Sequence, residues 1–186
     1  MDPFDIIIEF YKPDSLAYEI LVRHSELVAK KAVDTAQSVA FLEPDLNFIE
    51  EAAMLHDIGI FKVYAPDIGC FGEYPYLCHG YLGREILEKK NLPQHGLVCE
   101  RHVGTGITVQ EIKKHNLPLP ERDMVPVSIE EQIICFADKF FSKNPDSMGR
   151  EKSVDDIING LSRHGRDKVV KFQSWLNLFG RECRKT

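Results

Sequence analysis

Apolar residues recur along this chain at intervals of three and four, the spacing of helices with one buried face. Leu16, Ile20, Leu27 and Val28 place a first long helix up to about Ser38, capped by Asp14 or Ser15. His24 falls on the same stripe, where a single histidine reads as a core residue bonded to a neighbour. Glu43-Pro44-Asp45 opens a second helix, with Phe48, Ala52 and Leu55 on its buried face. That helix is expected to run to Gly59, with His56 and Asp57 on its last turn. A third helix starts near His79, carries Leu82, Ile86 and Leu87, and breaks at Asn91-Leu92-Pro93. A fourth follows Pro93 with Leu97, Val98 and His102 on one side, and Gly104 and Gly106 end it. Residues 107–127 read as a short helix and a proline-rich surface passage.

Ser128-Ile129-Glu130-Glu131 has the form of a capping box ahead of the apolar run Ile133 to Phe141. Asp138 lies inside that run, where a carboxylate is costly to bury unless a cation meets it. Lys139 is expected on another face, which leaves a metal or a distant partner for Asp138. A last helix, about Val154 to Phe179, reads as one packing element closing the bundle. Between the second and third helices, residues 61–78 form a long connection rich in aromatics, glycine and proline. It reads either as a lid over a site or as a loop packed on the core by its own aromatics. The regular elements are therefore almost all helical, and the expected fold class is all-α. The chain is read as one domain over 1–186, with a core at about 15–142 and the packing helix at about 154–179.

The net charge of -6 argues against a nucleic-acid binder that depends on phosphate neutralisation. No apolar run approaches a membrane span, and no basic region precedes Ile6-Ile7-Ile8, so the expectation is a cytoplasmic protein without membrane association. The five cysteines (Cys70, Cys78, Cys99, Cys135 and Cys183) form no C-x-x-C pair and are read as free thiols.

The polar residues on the apolar faces make the chemistry. His24, His56, Asp57, His79, His102 and Asp138 come from five helices, and all are imidazole or carboxylate. Adjacent helical residues such as His56 and Asp57 leave about 100° apart, which suits a metal cluster better than a proton relay. As a set they suit Mn, Fe, Zn, Co or Mg, not a thiolate-preferring site. His95, His115 and His164 read as surface residues.

This pattern resembles the HD-domain superfamily of metal-dependent phosphohydrolases, in its His-Asp-Ile-Gly form. The match is His24, His56-Asp57-Ile58-Gly59, His79, His102 and Asp138 within Ala137-Asp138-Lys139, spanning roughly residues 15 to 142. The resemblance implies a compact all-α helical bundle of the HD-domain type with a central metal site, in which His24, His56, Asp57 and Asp138 hold one divalent metal. Asp57 would bridge to a second held by His79 and His102. Two such ions, about 3.5–4 Å apart, share a water, lower its pKa and neutralise phosphoryl oxygens. Such a site needs no protein nucleophile, and no serine or cysteine nucleophile motif is present; the resemblance makes Asp57, the shared ligand, a catalytic residue. Lys62 and Arg84 are the candidate cationic partners of a phosphorylated small molecule, a nucleotide by preference. Arg101 and Lys139, also near the ligands, read as exposed helix-face charges.

The cyclic-dinucleotide phosphodiesterase branch has a lysine after its His-Asp-x-Gly and a downstream Gly-Tyr-Pro. Here Ile60 stands in the lysine position and Gly80-Tyr81 is followed by leucine, which argues against that branch. The pattern is also similar to bacterial HD hydrolases of symmetrical dinucleoside polyphosphates. The alternatives are a diiron oxygenase of the same superfamily and a metal-stabilised binding or regulatory module without turnover. Substrate, metal identity, the number of ions and oligomeric state are not legible at this level.

Overall fold

The computed structural model describes residues 1–180. Among them are nine helices: α1 (Pro3–Phe10), α2 (Leu16–Ser38), α3 (Leu46–Leu55), α4 (His79–Lys89), α5 (Pro93–Arg101), α6 (Val109–His115), α7 (Ile129–Asp138), α8 (Val154–Ser162) and α9 (Arg166–Phe179). One antiparallel pair, β1 (Tyr64–Ala65) and β2 (Cys70–Phe71), interrupts them. The fold is all-α, and no helix is long and apolar enough to cross a membrane.

Helix α2 is the spine. Ser15 accepts from the Tyr18 N–H and starts it, and the residues buried along it follow one helical face from Ala17 through Ile20, Leu21, His24 and Val28 to Ala36. That face packs against α3 and α7, and α4 packs against α5. Phe136 and Phe140 of the α7 region meet Phe172 and Phe179 of α9. Trp175 is buried and donates its indole N–H to Gln132 Oε1 at 3.0 Å, which ties α9 to α7. Burying each large side chain of this kind contributes about 1.5–3 kcal/mol.

Two close approaches bring the polar segments together. A Cβ on Gly59 would lie 2.2 Å from the His79 carbonyl oxygen and 2.6 Å from the Gly83 nitrogen. One on Gly80 would lie 2.7 Å from the Cys99 carbonyl oxygen. The turn after α3, the start of α4 and the end of α5 thus touch backbone to backbone, which only glycine permits.

Several elements differ from the sequence expectation. Helix α3 ends at Leu55, with His56 as its C-cap, and Ile58–Lys62 is a separate 3₁₀ turn in which Gly59 makes a packing contact and terminates nothing. Pro44 precedes the N-cap Asp45 instead of entering the helix. The last helix is two, because Gly165 adopts φ +134°, a conformation that breaks the run between Ser162 and Arg166. Ser128 does cap α7, but Glu131 sends its carboxylate to the Val127 N–H and to Arg101. The reciprocal capping box forms at Thr108 and Glu111 instead. The connection 61–78 is ordered by the short strand pair, by 3₁₀ turns and by Phe61, which stacks on Phe10 and meets the edge of Tyr11. Tyr64 and Phe71, opposite each other across the strands, are exposed. Cys70, Cys78, Cys99 and Cys135 are free and buried; Cys183 lies outside the described residues.

Candidate metal centre

Each polar residue read from the pattern sits where a helix begins, ends or is crossed. His24 is mid-α2, His56 caps α3, and Asp57 follows at φ -108° and ψ 12°. His79 is the first residue of α4, His102 caps α5, and Asp138 is the last residue of α7. All six are buried, His56 and Asp57 completely.

They converge as two groups that share Asp57: His24, His56, Asp57 and Asp138, and then Asp57, His79 and His102. Within each group the ligating atoms lie within 4.8 Å of one another. Asp57 Oδ2 faces the first group, 3.1 Å from His56 Nε2 and 3.3 Å from His24 Nε2. Asp57 Oδ1 faces the second, 3.4 Å from the Nε2 of both His79 and His102. Asp138 Oδ1 completes the first group at 3.0 Å from His24 Nε2 and 3.5 Å from His56 Nε2.

Three of the histidines are oriented by one device. The Nδ1–H of His56 donates to the Ala53 carbonyl at 2.6 Å, that of His79 to Tyr76 at 2.6 Å and that of His102 to Cys99 at 2.7 Å. A carbonyl only accepts, so each Nδ1 carries a proton and each Nε2 is turned inward as the ligating atom. The consequence is strongest between His79 and His102, whose Nε2 atoms stand 3.1 Å apart. Burial pushes the His79 imidazole down to about 3, and it lowers His102 as well. Both are neutral at pH 7, and two lone pairs face each other in a buried space. Asp57 Oδ1, which faces both of them, has no hydrogen-bond partner. Orphaned acceptors of this kind are costly unless a cation meets them, and the donor set, nitrogen and carboxylate oxygen, fits divalent Mn, Fe, Co, Zn or Mg.

The cations of the protein are arranged around the first group. Burial opposes protonation of His56, but Asp57 and Asp138 outweigh it and raise the imidazole to about 9. Burial likewise opposes ionisation of the two carboxylates. His56 and Lys143 nevertheless hold Asp57 well below the usual range, and Lys139 and Lys143 do the same for Asp138. Lys139 does not point away. Because α7 ends at Asp138, its side chain turns back, with Nζ 2.8 Å from Asp138 Oδ2 and 3.2 Å from the His102 carbonyl. Lys143 Nζ lies 2.6 Å from Asp57 Oδ2. Nothing in the hydrophobic pattern marks Lys143; its only sequence signal is its place five residues after Asp138, in the turn that leaves α7.

Other candidates are placed elsewhere. Arg84 binds Glu88 at 2.7 Å and Glu100 at 2.5 Å, and its guanidinium reaches no ligand residue. Lys62 closes the 3₁₀ turn, and its carbonyl accepts from the Tyr74 N–H at 3.2 Å; among the described residues no ligand pairs with its ammonium. Arg101 pairs with Glu131 at 2.9 Å. His115 and His164 are exposed. His95 is not: it is buried with its ring 4.9 Å from that of Phe48 and Nε2 3.4 Å from Glu51.

A family model, the HD domain, matches residues 21–142, and the chain belongs to this family. A tRNA (cytidine(56)-2'-O)-methyltransferase from Picrophilus torridus is 37% identical over 127 residues, 68% of this chain and 33% of that protein. The protein of the same name from Thermoplasma volcanium is 31% identical over 162 residues, 87% of this chain and 43% of its own. An uncharacterized protein from Methanocaldococcus jannaschii is 29% identical over 152 residues, 80% of this chain and 79% of its own. The chain therefore spans a third of one methyltransferase relative and 43% of the other. No solved structure matches it.

Proposed function

We propose that this chain is a metal-dependent phosphohydrolase that cleaves a phosphate ester or anhydride of a nucleotide or related small metabolite. The observation that carries the reading is Asp57, one carboxylate whose two oxygens face two separate histidine groups. His24, His56, Asp57 and Asp138 would hold one divalent ion, and Asp57, His79 and His102 a second. Bound there, such ions supply a water of lowered pKa and neutralise charge building on phosphoryl oxygens. The protein's own contribution is orientation: three carbonyls fix the histidines, and buried walls exclude bulk water.

Beside Asp138 opens a cleft of about 790 Å³, lined by Tyr76, Lys139, Lys143, Lys152 and His164 among others. That volume suits a nucleotide-sized ligand. Of the aromatics in residues 61–78, Tyr76 lines this cleft and offers a ring for a base. Two relatives carry the name of a tRNA methyltransferase, of which this chain spans a third and 43%, so the nucleotide preference here rests on the cleft and its aromatic ring. The partner is a small phosphorylated molecule, with no nucleic acid or membrane, in the cytoplasm.

The test is phosphate release from nucleotides, dinucleoside polyphosphates and phosphomonoesters with added Mn, Fe(II), Co or Mg. Release that Asp57→Ala abolishes supports the reading. Silence across the panel with metal bound, or oxygen-dependent turnover, overturns it.

A further inference from the structure

Resting on that reading, we infer that the substrate carries at least two linked phosphates, held by Lys143 at the centre and Lys152 at the cleft mouth. Lys139, Lys143, Lys152 and Arg163 all line the cleft at Asp138. Lys139 and Lys143 have Asp138 and Asp57 as partners, at 2.8 and 2.6 Å. Lys152 has no carboxylate within 4.0 Å among the described residues, and it donates to the Phe141 carbonyl at 3.4 Å. Asp156, the other carboxylate in the lining, is engaged by the Ser153 hydroxyl at 2.7 Å.

Asp57 and Asp138 belong to the donor set that would hold metal. When their oxygens serve that purpose, the lysines lose them as counterions while the ions add positive charge. Several cations in a partly buried site need an anion of comparable charge. A phosphodiester brings one negative charge and a phosphomonoester up to two on a single phosphorus, whereas a phosphoanhydride spreads two or more over adjoining groups, one for each lysine. Lys143, half-enclosed with its ammonium against Asp57, is placed for the phosphoryl undergoing attack. Lys152, exposed in the same cleft, is placed for the next phosphate outward. In the hydrolysis, water oxygen forms a new bond to phosphorus, the bridging oxygen leaves with the bonding pair as the shorter phosphate, and the water's protons pass to the products and solvent.

Binding tests this apart from turnover. Methylenediphosphonate, which cannot be hydrolysed at its bridge, is titrated calorimetrically into manganese-loaded protein and compared with inorganic phosphate and dimethyl phosphate. The diphosphonate is expected to bind at least about 100-fold tighter than either, as two charge-assisted contacts predict. Lys143→Gln and Lys152→Gln should each weaken it by about 10-fold, while Lys152→Arg should retain most of the affinity. Because Lys152 is exposed, its variant reports even if Lys143→Gln fails to fold. Equal affinity for the three probes, or diphosphonate binding indifferent to Lys152→Gln, overturns the inference. Selective diphosphonate binding without turnover of any substrate would instead sink the phosphohydrolase reading and leave this pocket assignment standing.

Discussion

His79 and His102 face each other through their Nε2 atoms at 3.1 Å, each with its Nδ1–H committed to a main-chain carbonyl. Neither nitrogen has a proton to offer the other at neutral pH, so the contact is repulsive until a cation enters between them. Replacing His102 by alanine should therefore lower the metal content from two ions to one per chain, read by elemental analysis. Turnover should fall by at least about 100-fold. Two ions retained in the variant would show that the second group is not a metal site.

The metal-free protein should be most stable near pH 6.5. Burial pushes His79 down to about 3, below its unfolded value of 6.5, so the unfolded state binds the extra proton and stability is lost as pH falls from 6.5 towards 3. His56 is raised to about 9, so its folded state holds the proton and stability is lost as pH climbs from 6.5 to 9. Each limb slopes by up to about 1.4 kcal/mol per pH unit for one such group. Urea denaturation in the presence of a chelator, run from pH 5 to 9, checks this; a midpoint that rises steadily across the range contradicts it.

Gly59→Ala should destabilise the fold by about 3 kcal/mol, since the new methyl group would sit 2.2 Å from the His79 carbonyl oxygen. The clash also pushes on the residue that supplies the second group's ligand. A lowered melting temperature with weakened metal binding is expected, and an unchanged melting curve would contradict the close approach.

Arg84→Ala separates stability from chemistry. Glu100 is buried between Arg84 and Arg122, at 2.5 Å from each. Losing one partner should cost about 1–2 kcal/mol in a denaturation curve, because Arg122 still meets the carboxylate. The ratio kcat/KM should stay within about threefold of the parent. A large loss of turnover would return Arg84 to the list of substrate contacts.

The helical periodicity and the six imidazole and carboxylate residues were legible because burial leaves its mark on spacing: His24 rides the same stripe as Ile20 and Val28. What was not legible depends on where helices stop. Lys139 looks remote on a continuous helix, yet α7 ends one residue before it and the chain turns inward. Lys143 lies in that turn, where no periodicity points. Arg84 follows His79 by five residues, but the sequence does not disclose that Glu100 on the adjoining helix claims it. Gly165 splits the closing helix through a positive φ that flanking apolar spacing conceals. His95 reads as a surface residue near a loop, yet it is buried, with Phe48 against its ring and Glu51 at its Nε2.

The three carbonyls that aim His56, His79 and His102 belong to Ala53, Tyr76 and Cys99, and none is a side-chain atom. A side-chain scan of the surroundings would find the ligands and pass over what orients them. Ala53 and Cys99 are fully buried, so their side chains act on the centre only through the backbone path that packing gives them. The centre's geometry is thus set by the trace of the chain, and a substitution that shifts that trace can misaim a histidine without touching it.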